Sequence, residues 1–346
     1  MSKLVLVTGA TGFVGSHVVS RLLMEGYRVR GTVRNRKKAE FLKELPKSEN
    51  LQLVDADLMK EDCWLEACQG VDVVIHVASV FKIGLSEDAV VAPAVIGTRH
   101  VMTAAADAGV GRVIVTSSIA AIYGGHPLTT KTFTEDMFSV PEKSPNYEKA
   151  KVLAEKEAWA IAGSRDIELL TVNPGYCIGP ILHASQGTCE SSFMLKQLLE
   201  HSIPLVPDVV FPGVDVRDVA EIHARLVEYA HPSMLEFHKN PSLGRFIATG
   251  DDGKSYLQMS QLLQANFGSL GFRTPSRVCP TWLMKFLGLF NSQMADAAKV
   301  SGLRCHAPNT KTAGVLGIQF KDTTDAIVAH AQSLLDFGVV LPKYVQ

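Results

Sequence analysis

Directly after the apolar run Leu4-Val5-Leu6-Val7 the chain reads Thr8-Gly9-Ala10-Thr11-Gly12-Phe13-Val14-Gly15 and passes into a segment of helical period, Phe13–Met24. A strand, a turn with glycine at every third position and a helix, in that order, leave few folds open. Gly9 permits a tight turn, Gly12 lets a pyrophosphate approach the backbone, and Gly15 lets helix and strand pack closely. The helix start adds free N–H groups and a partial positive charge, so Thr11, Phe13 and Val14 join the three glycines as candidate phosphate contacts.

The same rhythm continues to residue 173. Candidate strands are Leu4–Val7, Arg28–Val33, Leu51–Val54, Val73–His76, Arg112–Thr116 and Glu168–Val172. Candidate helices are Phe13–Met24, Ala39–Leu45, Cys63–Ala67, Ala89–Ala108 and Asn146–Ala162. The strands are nearly all apolar rather than alternating, as expected where helices cover both faces of a parallel sheet. The fold class expected is therefore α/β, a doubly wound parallel sheet. After Asn173, Pro and Gly recur and the rhythm breaks, while Asp215–Tyr229 and Arg245–Thr249 look like one more helix and strand returning to the sheet. This predicts a nucleotide-binding domain over residues 1–173, with 215–250 returning to it. Residues 174–214 and 251–346 form a smaller, mostly helical substrate domain, with helices expected over Leu257–Phe267, Thr281–Leu289 and Thr324–Phe337.

At 346 residues and roughly 150 per domain, the chain is long enough to bury a sizeable core without disulfide or metal. Its 34 Lys and Arg nearly balance 35 Asp and Glu, which argues against a nucleic-acid binder; 47% hydrophobic residues argue against disorder. The longest apolar stretches, Val113–Gly125 and Val71–Val80, fall short of the roughly 20 residues that span a bilayer, so no membrane span is expected. No h-region and cleavage site precede the first strand, and the expected location is the cytosol. Cys63, Cys68, Cys177, Cys189, Cys279 and Cys305 show no Cys-x-x-Cys pair and no His at zinc spacing; reduced thiols and no metal are expected.

The charge balance hides a local imbalance. Arg28–Lys38 holds six basic residues and no acid. A dinucleotide unit that uses NAD ends its second strand with Asp or Glu, which would repel a 2′-phosphate. Here the strand ends Thr32-Val33-Arg34-Asn35, and Arg34 can pair with that phosphate through its planar fork, with Lys38 one turn on if Arg36 begins a helix. The cofactor expected is NADP.

Tyr147 and Lys151 stand four residues apart, on one face of a helix. Carbonyl reduction needs hydride at carbon and a proton at oxygen. A free phenol titrates near 10, and a cation beside it favours the phenolate, bringing it toward working range; Lys151 fits that role and can also hold ribose hydroxyls. The fifth strand ends Thr116-Ser117-Ser118 at the carboxyl edge, where a hydroxyl can bond the substrate oxygen as charge develops.

These elements together resemble the extended short-chain dehydrogenase/reductase family, in its dihydroflavonol-reductase-like, aldehyde and ketone reductase branch. The motifs are TGATGFVG, the strand-end Ser117-Ser118, Tyr147-x-x-x-Lys151, Asn173-Pro174-Gly175-Tyr176-Cys177-Ile178-Gly179-Pro180 and Asp215-Val216-Arg217-Asp218-Val219-Ala220. The resemblance implies that Ser118, Tyr147 and Lys151 are catalytic, with Ser117 as support. It also implies that Arg34 and the following Lys38 hold the 2′-phosphate, and that Asp57-Leu58 after the third strand contacts the adenine. Cofactor contacts further expected are Ala78, where small residues follow His76, and Pro174 and Cys177 at the nicotinamide end. His76 reads as a packed or turn-bonded histidine, Arg217 and Asp218 as an ion pair and helix cap. Where many extended members carry Asn before Val-x-Gly-Thr, this chain has Pro93-Ala94, so a relay through that side chain is unsupported.

The expected activity is NADPH-dependent reduction of an apolar or aromatic aldehyde or ketone, Tyr147 being the proton donor. The expected pocket wall is Phe81, Tyr123, Tyr176, Ile178, Phe193, Met194 and Phe211, with Trp282 and Phe286 from the tail, and Lys82 as a candidate for an acidic substrate group. Cys177 reads as a pocket-lining thiol. Competing readings are a sugar-nucleotide epimerase or a 3β-hydroxysteroid dehydrogenase on the same fold, and a non-catalytic NADP-sensing scaffold. The partner expected is a small-molecule carbonyl compound, the chain being a monomer or homodimer.

Overall fold

The computed structural model describes residues 2–79, 86–231, 234–250 and 253–342. The first half runs β1 (Leu4–Thr8), α1 (Phe13–Met24), β2 (Arg28–Val33), β3 (Leu51–Asp55), α2 (Asp62–Cys68), β4 (Val73–His76), α3 (Glu87–Asp107), β5 (Arg112–Thr116), α4 (Ala120–Tyr123), α5 (Asn146–Arg165) and β6 (Glu168–Pro174). The second half runs β7 (Tyr176–Ile178), α6 (Glu190–Leu199), β8 (Val210–Phe211), β9 (Gly213–Asp215), α7 (Val216–Val227), β10 (Arg245–Ala248), β11 (Lys254–Ser255) and α8 (Tyr256–Phe267). It closes with α9 (Thr281–Leu287), α10 (Ser292–Lys299), α11 (Thr310–Leu316) and α12 (Thr323–Asp336).

Seven strands form one parallel sheet in the order β3-β2-β1-β4-β5-β6-β10. Every residue of β1, β4 and β10 is buried, which explains why all but their end residues Thr8, His76 and Arg245 are apolar; each buried Val, Leu or Ile contributes about 1.5–3 kcal/mol of transfer free energy. Helices flank the sheet, α1 lying along α7 and α3 along α5. Chain order reverses between β1 and β4, whose carboxyl ends lie level with Thr8 opposite His76. A cleft opens there, at the place where open α/β sheets bind ligands.

The basic segment after β2 differs from expectation. Instead of an α-helix over Ala39–Leu45 it is a 3-10 helix over Arg36–Glu44, started by Asn35, whose side chain accepts from the Lys37 and Lys38 amides. Its buried residues, Ala39, Phe41 and Leu42, do not follow the spacing of an α-helical stripe. Helix α3 is, by length and composition, long and apolar enough to cross a membrane, although no continuous apolar run marked it in the sequence. In the fold it packs on α5, with Val90, Ala94, Gly97, Val101 and Ala105 buried.

A second hydrophobic cluster brings Phe13 of α1 together with Ile178, Met194, Leu195, Val216, Met259, Leu263, Ile327 and Leu334. It thereby joins the glycine turn to α6, α8 and α12.

Candidate active site

The glycine turn is built as its sequence requires. Gly9 has φ +68°, and a Cβ on it would lie 3.0 Å from Ala78 Cα. A Cβ on Gly15 would collide with the carbonyl oxygen of Gly9, so only glycine lets α1 sit this close to the turn. Gly12 is exposed at the N-terminus of α1, whose first turn carries no acidic residue. Thr11 and Val14 are half-buried beside it, whereas Phe13 turns into the second core cluster. The Thr8 hydroxyl ties the turn to the end of β4, accepting from the Ala78 amide at 2.9 Å and pairing with His76 Nδ1 at 2.8 Å. From the far side Gln186 donates to Ser16 Oγ at 2.8 Å, a link the sequence did not announce.

Beyond β2, Arg34 and Lys38 are exposed and form no ion pair among the described residues, while Arg36 is occupied by Asp55 at 2.7 Å. Two free cations at the end of the second strand suit a 2′-phosphate. Asp57 closes an Asx turn by accepting from the Met59 amide at 3.0 Å, and Leu58 packs against Gly97 at the rim of the cleft. The cleft itself is lined by Leu58, His76, Ala78, Thr98, Lys151 and Glu155, among others. His76 is buried and neutral, its pKa lowered to about 3 chiefly by burial and further by Lys151.

Ser118 follows β5, and Tyr147 and Lys151 occupy successive turns of α5. The Ser118 hydroxyl hydrogen-bonds the Tyr147 phenol and also accepts from the Ala120 amide at 3.1 Å. Lys151 Nζ stands 5.9 Å from the Tyr147 ring centroid and 3.4 Å from Ser79 Oγ. The expected lowering of the phenol by Lys151 is not what this arrangement produces. Burial pushes the Tyr147 phenol above its ordinary value, opposed by the Ser118 hydrogen bond and reinforced by Glu148. Burial also lowers Lys151 to about 8, with Cys177 and Glu155 pulling the other way. At neutral pH the phenol therefore holds its proton. Cys177 lies nearby on β7, its thiol pushed up to about 12 by burial. Pro174 ends β6, its carbonyl accepting from the Ile119 amide.

On the substrate side, Tyr176, Ile178, Phe211, Gly213, Lys254, Met259, Thr323 and Ile327 line a small cavity. Tyr123 packs on Phe211, with ring centroids 5.6 Å apart, and gives its hydroxyl to Glu148 at 2.9 Å. Other expected wall residues stand elsewhere. Met194 is buried in the second core cluster, and Phe193, Trp282 and Phe286 are exposed at 44%, 70% and 55%. Apolar periodicity alone does not tell a pocket wall from a core face or a helix surface. Phe81 and Lys82 lie outside the described residues. Asp215, rather than Asp218, caps α7 and pairs with Arg217; Asp218 pairs with Lys321.

One cluster escaped the sequence reading. Glu155, one turn beyond Lys151 on α5, is buried and accepts from Ser117 Oγ at 2.5 Å, Asn173 Nδ2 at 2.9 Å, Trp159 Nε1 at 3.3 Å and Arg245 Nε at 2.7 Å. Arg245, which opens β10, is likewise buried and lies over the Phe138 ring. Two signals were available: the four-residue repeat Tyr147, Lys151, Glu155, and a charged residue opening an otherwise apolar strand.

A parallel sheet with a glycine turn beside its switch point, and Ser, Tyr and Lys at the neighbouring strand end, defines a Rossmann dinucleotide-binding protein. The NAD dependent epimerase/dehydratase family matches residues 5–235, and the chain belongs to that family, the extended short-chain dehydrogenases/reductases. Cinnamoyl-CoA reductase 1 of Petunia hybrida is 39% identical over 235 residues, 65% of this chain and 69% of that protein. The yeast methylglyoxal/isovaleraldehyde reductase Gre2 with NADPH superposes with a TM-score of 0.76 at 26% identity, covering 97% of this chain and 99% of that one. Vestitone reductase from alfalfa superposes with a TM-score of 0.73 at 25% identity, over 97% and 99% of the two chains.

Proposed function

We propose that this chain reduces an apolar or aromatic aldehyde or ketone to its alcohol, using NADPH. It is an NADP-dependent oxidoreductase, and its relatives carry the names of reductases, of cinnamoyl-CoA, of methylglyoxal and isovaleraldehyde, and of vestitone. The observation that carries the finer reading is the Ser118–Tyr147 hydrogen bond at the carboxyl edge of the sheet, with a phenol that keeps its proton and Lys151 one turn away.

The bound dinucleotide supplies the hydride. Gly9, Thr11, Gly12, Phe13, Val14 and Gly15 present the turn to its pyrophosphate, with Arg34 and Lys38 at the 2′-phosphate and Asp57 and Leu58 at the adenine. Ala78, Pro174 and Cys177 border its nicotinamide end. Ser118 donates a hydrogen bond to the carbonyl oxygen, and Tyr147 gives that oxygen its proton as the C–H bond forms, becoming a phenolate that solvent reprotonates. Lys151 holds the ribose and stabilises the phenolate once it has formed. The apolar lining by Tyr176, Ile178, Phe211, Met259 and Ile327 supports a substrate with an apolar or aromatic body.

The test is NADPH consumption against aldehydes, diketones, flavonoid ketones, steroid ketones and cinnamoyl-CoA, with Tyr147→Phe alongside. Consumption with at least one carbonyl class is expected, and a loss of about 10²- to 10⁴-fold in kcat for the Phe variant. A wild-type protein that binds NADPH but consumes none across the panel would favour a sensor or an epimerase, and a fully active Phe variant would remove Tyr147 as donor.

A further inference from the structure

We propose that Glu155 is a positioning residue for this reaction, tying the strand end that carries Ser118, through Asn173, to the helix that carries Tyr147 and Lys151. The inference rests on the carbonyl-reductase reading above. Its first support is the cost of the arrangement. Glu155 is 1% exposed and Arg245 0%, and a buried ion pair of this kind is often no more stabilising than apolar residues of the same volume. Stability alone is a poor reason for its presence.

Its second support is where the bonds lead. The carboxylate accepts from Ser117 Oγ and from the Asn173 amide, and the same amide group donates to the Ser118 carbonyl at 3.2 Å. Asn173 is oriented in turn by the Thr171 hydroxyl, which donates to its Oδ1 at 3.0 Å. One carboxylate thus connects α5, which carries Tyr147 and Lys151, to the strand end that carries Ser118. Arg245 extends the connection, its Nη1 donating to the carbonyls of Glu135 at 2.5 Å and Met137 at 2.6 Å.

Its third support is charge. The groups facing Lys151 are Tyr147 and Glu155 on its own helix, Cys177 on β7, and His76 and Ser79 at the end of β4. His76 is held neutral and Cys177 keeps its proton, so among the described residues Glu155 is the anion that offsets the burial of the Lys151 ammonium. Without it, Lys151 would lose its proton at lower pH.

Three variants separate positioning from mere support: Glu155→Gln, the charge-neutral double variant Glu155→Gln with Arg245→Gln, and Asn173→Ala, which cuts only the branch to Ser118. Folding is monitored by thermal melting and NADPH binding. For the folded Glu155 variants, kcat is expected to fall at least about tenfold with KM for the carbonyl little changed, because a small misplacement of reacting groups is costly. The alkaline limb of kcat should move down by about one pH unit. Asn173→Ala should lower kcat and leave that limb where it is. A folded Glu155 variant with kcat within about twofold of wild type and an unmoved limb overturns the proposal. So does a fully active Asn173→Ala beside Glu155 variants that fail to fold, since a purely structural pair would behave that way. Tyr147→Phe keeps the two readings apart: if it is fully active, the reaction itself has been misassigned, whereas an inactive Phe variant with unaffected Glu155 variants sinks only this inference.

Discussion

At the scale of single residues, the structure sorts the six cations of Arg28–Lys38 by what already holds them. Arg28 donates to the Ser2 carbonyl, Arg30 to Gln52 and to the carbonyls of Ala67 and Gln69, and Arg36 to Asp55. Arg34, Lys37 and Lys38 remain exposed and without an ion-pair partner among the described residues. Arg34, next to the end of β2, stands where a ribose-binding carboxylate would stand in an NAD enzyme. Replacing it with Asp removes charge-assisted bonds worth about 2–3 kcal/mol and adds repulsion, so kcat/KM for NADPH should fall roughly 30- to 150-fold. Kinetics with NADPH and NADH side by side measure it, and an unchanged ratio between the two would mean that Arg34 does not read the phosphate. That Ser118, Tyr147 and Lys151 come together was legible in the sequence, because their types and order are rare together. Glu155 was not, because a glutamate on a helix reads as solvated until its three-dimensional neighbours are known.

Among elements, the β1–turn–α1 unit concentrates the most constraint. Gly15 and Gly12 look equivalent in the sequence, yet their surroundings differ. A Cβ on Gly15 would collide with the Gly9 carbonyl oxygen, whereas one on Gly12 would lie 3.2 Å from that atom on an exposed turn. Gly15→Ala therefore forces α1 away from the turn and should cost about 1–3 kcal/mol of stability, seen as a lower melting temperature without cofactor. Gly12→Ala should melt nearly as wild type and show its cost in NADPH affinity. Equal melting of Gly15→Ala and wild type would contradict the close packing. Elements of this half were legible because most of their residues are buried: β2, β4, β5 and α1 run over the residues their patterns marked. Beyond Asn173 the pieces are short and depend on distant partners. The pairs β7–β9 and β8–β11 are two or three residues long, and no local pattern specifies them.

Over the whole molecule, four buried histidines join segments far apart in the chain. His17 Nε2 donates to the Pro180 carbonyl, and His76 Nδ1 pairs with the Thr8 hydroxyl. His223 donates from Nδ1 to the Val219 carbonyl, which leaves Nε2 to accept from the Thr116 hydroxyl. His330 accepts the Gly179 amide at Nδ1 and donates from Nε2 to Ser192, tying α12 to α6. His223 and His330 each accept at a bare ring nitrogen that only the neutral imidazole has, and burial lowers the pKa values to about 4 for His17 and His223 and about 3 for His76 and His330. In the unfolded chain the same groups titrate near 6.5. Above that pH neither state binds the proton and these groups leave stability independent of pH. As pH falls below about 6.5 the unfolded chain gains protons that the folded one refuses, and each histidine removes up to about 1.4 kcal/mol per pH unit until its folded pKa is reached. Four acting together should give a slope approaching 5 kcal/mol per pH unit near pH 5, before most carboxylates titrate. Melting temperature should therefore be flat from pH 8 to 7 and fall steeply between 6.5 and 5. His223→Gln, which takes one proton out of the difference, should make that fall shallower whatever it does to stability at pH 7.5. A melting temperature that holds steady down to pH 5 would show that these rings accept protons in the folded state, and that the bonds joining α1, α6, α7 and α12 survive the change of charge.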